Sequence, residues 1–308
     1  MVAVVGPTAS GKSALAVELA IRLDGEIISA DSMQIYKRMD IGTAKPTAGE
    51  MRGVAHHLIN IAEPSEPFSV ADYVERAKAC ILEIRSRGKL PVLAGGTGLY
   101  VRSLLQGTQF SEGGRDESIR RELAQKAEKE GAGPLLQELK SFDPESAERI
   151  HPNNIPRIIR AIEIYRITGK TMTEQNQESH NLVSPYRACM IGLCFEDREN
   201  LYRRISERVD QMMQAGLPEE AKNILAEANP KTALQAIGYK EFLPYLEGKI
   251  TLEEAAAQIK LETRHYAKRQ MTWFRRDREI HWLAVDSCGD FREIAEKAEQ
   301  IVKRELCL

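Results

Sequence analysis

Gly6-Pro7-Thr8-Ala9-Ser10-Gly11-Lys12-Ser13 matches the phosphate-binding pattern G-x-x-x-x-G-K-[ST] at every fixed position. Apolar Val2-Ala3-Val4-Val5 precedes it and Ala14-Leu15-Ala16-Val17-Glu18-Leu19-Ala20 follows it, which is the strand–loop–helix setting the pattern requires. Gly6 and Gly11 let the backbone turn inward so that successive N–H groups face one anion. The helix behind presents its positive end to the same anion. Lys12 adds a point charge, and the Ser13 hydroxyl is placed to hold Mg²⁺. A plain glycine turn is the bland alternative, and it leaves the flanking strand and helix without a purpose. The loop specifies phosphate without saying which phosphate compound or what happens to it.

Outward from the loop, residues 26–30 (EIISA) and 90–94 (LPVLA) read as further buried strands. They are short, aliphatic and bounded by glycine or charge. Helical patterns separate them over residues 14–23 and 70–87, the second with Ala77, Ile81 and Ile84 on one stripe. Such alternation predicts a parallel sheet that binds ligands at the carboxyl ends of its strands. Residues 188–193 form a fourth strand and residues 281–285 a last one. Between about residues 113 and 185 the chain is charged amphipathic helix, as over 117–131, 135–141 and 155–168, with no strand signal. The expected fold is α/β: a P-loop-type parallel sheet core flanked by helices, with an all-helical insertion domain. The core is discontinuous, 1–113 and 186–308, and the insertion spans 114–185.

The 308 residues suit one large or two moderate domains. A 43% hydrophobic fraction supports a proper core, and 29% charged residues suit a soluble protein. A net charge of −2 means that any nucleic-acid binding must come from local clustering. No apolar run reaches the roughly 20 residues of a bilayer span, and the N-terminus, a strand entering a loop, does not read as a signal peptide. Cys80, Cys189, Cys194, Cys288 and Cys307 contain no C-x-x-C pair. A reduced, cytoplasmic protein without structural zinc is expected. His56 and His57 lack a third nearby ligand and read as a structural turn.

Asp31 directly follows the second strand, where its carboxylate should stand near the bound phosphate. Three roles compete for it: ligating Mg²⁺ through water, acting as a general base, and capping the turn at Ser32. In many P-loop NTPases an acid ends the strand that corresponds to 90–94. Here that strand ends in Gly95-Gly96-Thr97-Gly98, a floor without a carboxylate that would let a flat substrate approach Asp31. Basic residues cluster despite the neutral total. Between Arg264 and Arg278 six Lys/Arg stand against one Asp, interleaved with Tyr266, Trp273 and Phe274, and Arg264, Lys268 and Arg275 share roughly one helical face. A second stripe carries Arg157, Arg160, Arg166 and Lys170. Each is a solvated helix face or an RNA-binding surface, and two of them shift the balance towards a polyanion.

Nine blocks in order carry a family resemblance. They are GPTASGKS at 6–13, DSMQIYKRMDIGTAKP at 31–46, HHL at 56–58, FSVADY at 68–73, GGTGLY at 95–100, HPNNIPRIIRAIE at 151–163, RISERVD at 204–210, AIGYKE at 236–241 and YAKRQMTWF at 266–274. Over essentially its whole length the chain resembles bacterial tRNA dimethylallyltransferases, the tRNA isopentenyltransferase family. The resemblance implies transfer of a dimethylallyl group from dimethylallyl diphosphate to N6 of adenosine 37, beside the tRNA anticodon. By the same resemblance Asp31 is the general base, Thr8 sits at the bridging oxygen and Arg208 contacts the diphosphate. Gly6, Pro7, Thr8, Ala9, Ser10, Gly11, Lys12 and Ser13 hold the diphosphate, with Mg²⁺ on Ser13. The implied tRNA contacts are Asp31, Ser32, Met33, Gln34 and Thr97, then Pro156, Arg157, Ile158, Ile159 and Arg160, then Ala236, Ile237, Gly238, Tyr239 and Lys240. The insertion would clamp the anticodon stem-loop, and the enzyme is expected to act as a monomer away from membranes. Pro156 departs from the family, which often has a basic residue there.

A small-molecule P-loop kinase, a non-catalytic RNA-binding ATPase and an enzyme prenylating free adenine nucleotides are the competing readings. The kinase would need base contacts and a phosphoryl acceptor site that the sequence does not show. The ATPase leaves Asp31 and Gly95–Gly98 idle, and a mononucleotide needs no second basic surface.

Overall fold

The computed structural model describes residues 1–108, 116–180, 184–227 and 232–308. The expected boundary between residues 113 and 114 lies outside the described residues. The chain forms two compact units, Met1–Leu105 with Tyr186–Leu308, and Gln106–Pro185.

Among the described residues the first unit is built on six strands: β1 (Val2–Val5), β2 (Gly25–Ser29), β3 (His56–His57), β4 (Leu90–Ala94), β5 (Cys189–Cys194) and β6 (Ile280–Ala284). Their order is β3-β2-β4-β1-β5-β6, and every pairing is parallel. β1 is central, with β4 on one side and β5 on the other, so the loop leaving it opens at a switch point. Alternate side chains of the strands feed two separate cores. Ala3, Val5, Ile28 and Leu93 pack under Tyr73, Ala77, Ile81 and Ile84 of the Val70–Ser86 helix. Val2, Val4, Ile27 and Val92 meet Leu15 and Leu19 of the Lys12–Arg22 helix and Ile294, Ala298 and Val302 of the Phe291–Leu306 helix.

The helix at Val70–Ser86 starts where expected because Ser69 and Asp72 form a reciprocal capping box. The turn expected at His56-His57 is instead an edge strand, paired with Ile27 and Ile28. His57 Nε2 lies 2.8 Å from Glu26 Oε2, a partner that sequence spacing could not supply. A third core gathers Ile35 and Met39 with Val209, Leu217, Tyr239, Phe242 and Ile259. It fixes the Arg198–Gln214 and Leu252–Phe274 helices beside the sheet's carboxyl edge.

Described by itself, the second unit has helices at Glu117–Glu130, Gly133–Phe142, Pro144–Arg149, Ile155–Thr168 and Met172–His180. Leu123, Leu135, Leu139, Ile158 and Ile162 form its core. Its polar centre is Glu163, fully buried and held by Arg120 at 2.7 and 2.8 Å, by Arg160 at 2.6 Å and by the Asp116 N–H at 3.0 Å. Burial opposes ionisation of Glu163, but the hydrogen bonds from Arg120 and Arg160 outweigh it and keep its carboxyl below the usual range.

Candidate active site

The phosphate loop lies at the carboxyl end of β1. Gly6 takes φ 141° with its Cα against Leu193, where a Cβ would stand 2.6 Å from that residue's carbonyl oxygen. Gly11 caps the Lys12–Arg22 helix in the left-handed region, and among the described residues no side chain satisfies the helix's first N–H groups. Those orphan donors remain for an anion. The loop's other amides are partly committed: Thr8 N donates to Gln270 Oε1 at 2.8 Å, and Ser10 N to Pro7 O at 3.3 Å. The cradle is therefore narrower than eight successive amides and centres on Gly11–Ser13. Lys12 Nζ donates to Pro7 O at 2.9 Å. Burial, then the neighbouring Arg208 charge, lowers its pKa to about 8 against the pull of Asp31.

A cavity of about 770 Å³ opens over Gly11, Lys12 and Ser13 and is walled by Arg204, Glu207 and Arg208. A second cavity of about 300 Å³ is lined by Thr8, Asp31, Arg208, Gly238, Tyr266 and Arg269, among others. Arg208 and Met212 line both. Burial depresses the Arg208 pKa, with Asp31 and Glu50 pulling the other way, and a guanidinium stays charged regardless. Arg204 anchors the same helix by donating from Nε to Ala9 O at 2.9 Å.

Asp31 uses one oxygen to cap its turn: Oδ1 accepts from Met33 N at 2.9 Å and Gln34 N at 3.3 Å. The turn-capping reading thus describes Oδ1, while Oδ2 accepts no hydrogen bond among the described residues. Ser32 N donates to Thr97 Oγ1 at 3.0 Å. Gln34 spends its amide on Thr43 O and Ala44 O, at 3.2 and 3.1 Å. The glycine floor is not open to a flat substrate. A Cβ at Gly95 would lie 2.2 Å from Ala30 O, at Gly96 2.0 Å from Gln270 Nε2, and at Gly98 2.1 Å from Trp273 Cδ1. The glycines admit neighbouring protein atoms, and Asp31 faces the second cavity instead.

Met33, Ala236, Ile237, Gly238 and Lys240 also line that cavity. Tyr239 is buried beneath it, and its hydroxyl donates to Glu220 Oε1 at 2.7 Å. Glu220 further accepts from Asp40 N, Ile41 N and Gly42 N, each at 2.9 Å. Neither Glu220 nor Gln270 is singled out by sequence reasoning. A glutamine inside a helix looks ordinary, and the only signal for Gln270 is its place in the block at 266–274.

Both basic stripes are narrower than expected. Arg264 donates to Ser206 Oγ at 3.0 Å and lies over the Tyr202 ring, while the helix ends at Phe274 and leaves Arg275 as its cap. Lys268, Arg269, Arg275, Arg276 and Arg278 are exposed. In the second unit Arg166 pairs with Glu138 and Glu122, and Lys170 with Glu178. Ile158 and Ile159 are buried, whereas Pro156 and Arg157 are exposed. The stripe is largely neutralised by acids on neighbouring helices.

Among the described residues no three His, Cys, Asp or Glu side chains are grouped to hold a metal. No described helix is long and apolar enough to cross a membrane. All five cysteines are free.

A phosphate loop at the switch point of an all-parallel sheet, with an arginine shared between the loop's cavity and a carboxylate's cavity, defines a P-loop α/β enzyme. A family model described as IPP transferase matches residues 34–277, and the chain belongs to that family. It is 50% identical over 306 residues to the tRNA dimethylallyltransferase of Thermoanaerobacter sp. (strain X514), covering 98% of this chain and 96% of that one. Identity to the tRNA dimethylallyltransferase of Geobacter metallireducens is 51% over 297 residues, covering 96% and 94%. Among solved structures, the full-length tRNA isopentenylpyrophosphate transferase of Bacillus halodurans matches with TM-score 0.73 at 46% identity, covering 99% and 96%. A eukaryotic dimethylallyltransferase acting on tRNA matches with TM-score 0.82 at 30% identity, covering 97% of this chain and 77% of that one.

Proposed function

We propose that this enzyme transfers the dimethylallyl group of dimethylallyl diphosphate to N6 of adenosine 37 in tRNA and releases diphosphate. The observation that carries the reading is the shared wall: Arg208 and Met212 border both the phosphate-loop cavity and the Asp31 cavity. A donor whose diphosphate lies on Gly11–Ser13 then presents its reacting carbon towards the carboxylate.

In the proposed step the N6 lone pair forms a bond to the allylic carbon while that carbon's bond to oxygen breaks. The electron pair leaves with the diphosphate, and the N6 proton passes to Asp31. An exocyclic adenine amine is a weak nucleophile because its lone pair is delocalised, so a base at that proton is needed. Oδ2 suits the task, since Oδ1 is held by the Met33 and Gln34 N–H groups. Lys12, Arg208 and the open helix amides stabilise the charge gathering on the leaving group, and Thr8 sits at the bridging oxygen. The Ser13 hydroxyl, exposed at the cavity, is a hard oxygen of the kind that would hold Mg²⁺. That ion would supply further charge neutralisation.

Ser32, Met33 and Thr97, with the 236–240 segment, receive the target nucleotide; Gln34 and Tyr239 shape the cavity through the groups they hold. Arg157 and Pro156, on the exposed side of their helix, meet the anticodon stem-loop, while Ile158 and Ile159 keep that helix in its own core and Arg160 secures Glu163. The target base already lies in an unpaired loop, which lowers the cost of extruding it.

Labelled dimethylallyl diphosphate offered separately with unmodified tRNA, AMP or ATP tests the proposal. Label is expected in tRNA alone; nucleotide hydrolysis without transfer would sink it. Asp31→Asn keeps an oxygen for the turn and removes the base. It should cut turnover by about 10²–10⁴ with tRNA affinity nearly intact. A large loss of affinity with turnover preserved at saturation would reassign Asp31 to binding.

A further inference from the structure

β1 and β2 are not neighbours, because β4 lies between them. Their carboxyl ends, which carry the phosphate loop and the Asp31 turn, are two strand spacings apart, roughly 10 Å. The ladder through β4 holds the strand ends themselves, with Ala30 N donating to Ala94 O at 2.8 Å and Gly95 N to Val4 O at 3.1 Å. The loop and turn beyond them need ties of their own, since a reacting pair misplaced by about 1 Å loses rate steeply. The backbone after β4 supplies half of the connection: Thr97 N donates to Ala30 O at 3.1 Å, and Thr97 Oγ1 accepts from Ser32 N at 3.0 Å. Gln270 supplies the other half. It is buried, its Oε1 accepts from Thr8 N at 2.8 Å, and its Nε2 donates to Gly96 O at 3.0 Å. One turn earlier on the same helix, the Tyr266 hydroxyl faces the side chains of Thr97 and Gln270.

We infer that Gln270 and Tyr266 are positioning residues that tie the Asp31 turn to the phosphate loop and set the distance across which the group is transferred. This rests on the proposed function for its catalytic consequence, though not for the tie itself. The side chain at 270 must accept at one end and donate at the other, as a glutamine amide does. Glutamate can accept from Thr8 N but cannot donate to Gly96 O, and methionine does neither well. The absence of a Cβ at Gly96 belongs to the same device, since one would overlap Gln270 Nε2.

The test uses the full chain with Gln270→Met, Gln270→Glu, Tyr266→Phe and the Gln270→Met/Tyr266→Phe double variant. Two readouts are taken. Amide hydrogen exchange should rise at least tenfold at Thr8 in Gln270→Met and at Ser32 in Tyr266→Phe, with the sheet interior unchanged. Unchanged protection at those amides would overturn the tie whether or not the protein transfers a prenyl group. In prenyl transfer, kcat should fall about tenfold to a hundredfold in Gln270→Met while KM for each substrate stays within about threefold. Gln270→Glu should recover only part of that loss, and the double variant should be no worse than Gln270→Met alone. A risen KM with kcat intact, or full recovery by glutamate, would overturn the positioning role. Failure of the wild-type protein to transfer label would instead remove the proposed function and leave the exchange result to decide the tie.

Discussion

Glu220→Gln should destabilise the first unit far more than an isosteric change at a helix surface normally would. Four donors converge on this carboxylate: Asp40 N and Ile41 N on Oε2, Gly42 N and the Tyr239 hydroxyl on Oε1. A glutamine offers one accepting oxygen, so its amide nitrogen must face a pair of donors whichever way it turns. Two hydrogen bonds to a charged acceptor are lost at about 1.5–3 kcal/mol each, and water at the exposed Asp40 amide recovers part, leaving about 2–4 kcal/mol. For a unit of this size that is a fall of roughly 5–12 °C in its melting temperature. Calorimetry and urea unfolding followed by near-UV circular dichroism would measure it. The same change frees the Asp40–Gly42 loop from Tyr239, so the cavity lined by Gly42, Thr43 and Gly238 should bind the acceptor less tightly. A melting temperature within about 1 °C of wild type would refute the reasoning, because it would mean that Glu220 is not holding those four donors together.

Two pH dependences follow from particular groups. Lys12 titrates near 8 in the folded protein, below its usual value because of burial and Arg208. Between about 8 and its unfolded value near 10.5 the unfolded chain binds the extra proton, so this group's contribution to stability rises with pH there. Binding of inorganic diphosphate should instead weaken from pH 7 to 9 relative to Lys12→Arg, whose guanidinium stays charged; parallel calorimetric titrations of the two proteins would contradict this. Glu26, lowered to about 2 mainly by its hydrogen bond from Arg87 and also by His57, stabilises the fold fully above pH 4.5. That contribution is lost as pH falls from about 4.5 to 2. Glu26→Gln should remove an acid-labile component on the order of 2 kcal/mol, seen as a smaller drop in urea midpoint between pH 7 and pH 3. An equal drop in both proteins would show that the Glu26–Arg87 pair carries no pH-dependent stability.

What the amino-acid sequence determined by itself was whatever short-range rules govern. The eight-residue loop between an aliphatic strand and a helix needs only local sterics and amide direction, and it lies where its pattern puts it. The strands at 2–5 and 90–94 and the helix at Val70–Ser86 follow from aliphatic periodicity and a capping box, signals contained within a few residues. The placement of Asp31 after β2 was equally legible. Its division of labour between two oxygens was not, because that depends on where the amides of residues 33 and 34 come to rest.

Only tertiary structure decided the rest, since hydrogen bonds and ion pairs reach across any sequence distance. Gln270 meets Thr8 over a separation of 262 residues, and Glu220 meets the Asp40–Gly42 loop over about 180. Arg166 and Lys170 looked like part of a free cationic stripe until acids on other helices were found against them. The glycines at 95–98 looked like an opening and are instead the places where the protein packs against itself. A sequence shows which groups can donate, accept or leave room. The fold alone determines which of those capacities are already spent inside the protein and which remain for a ligand.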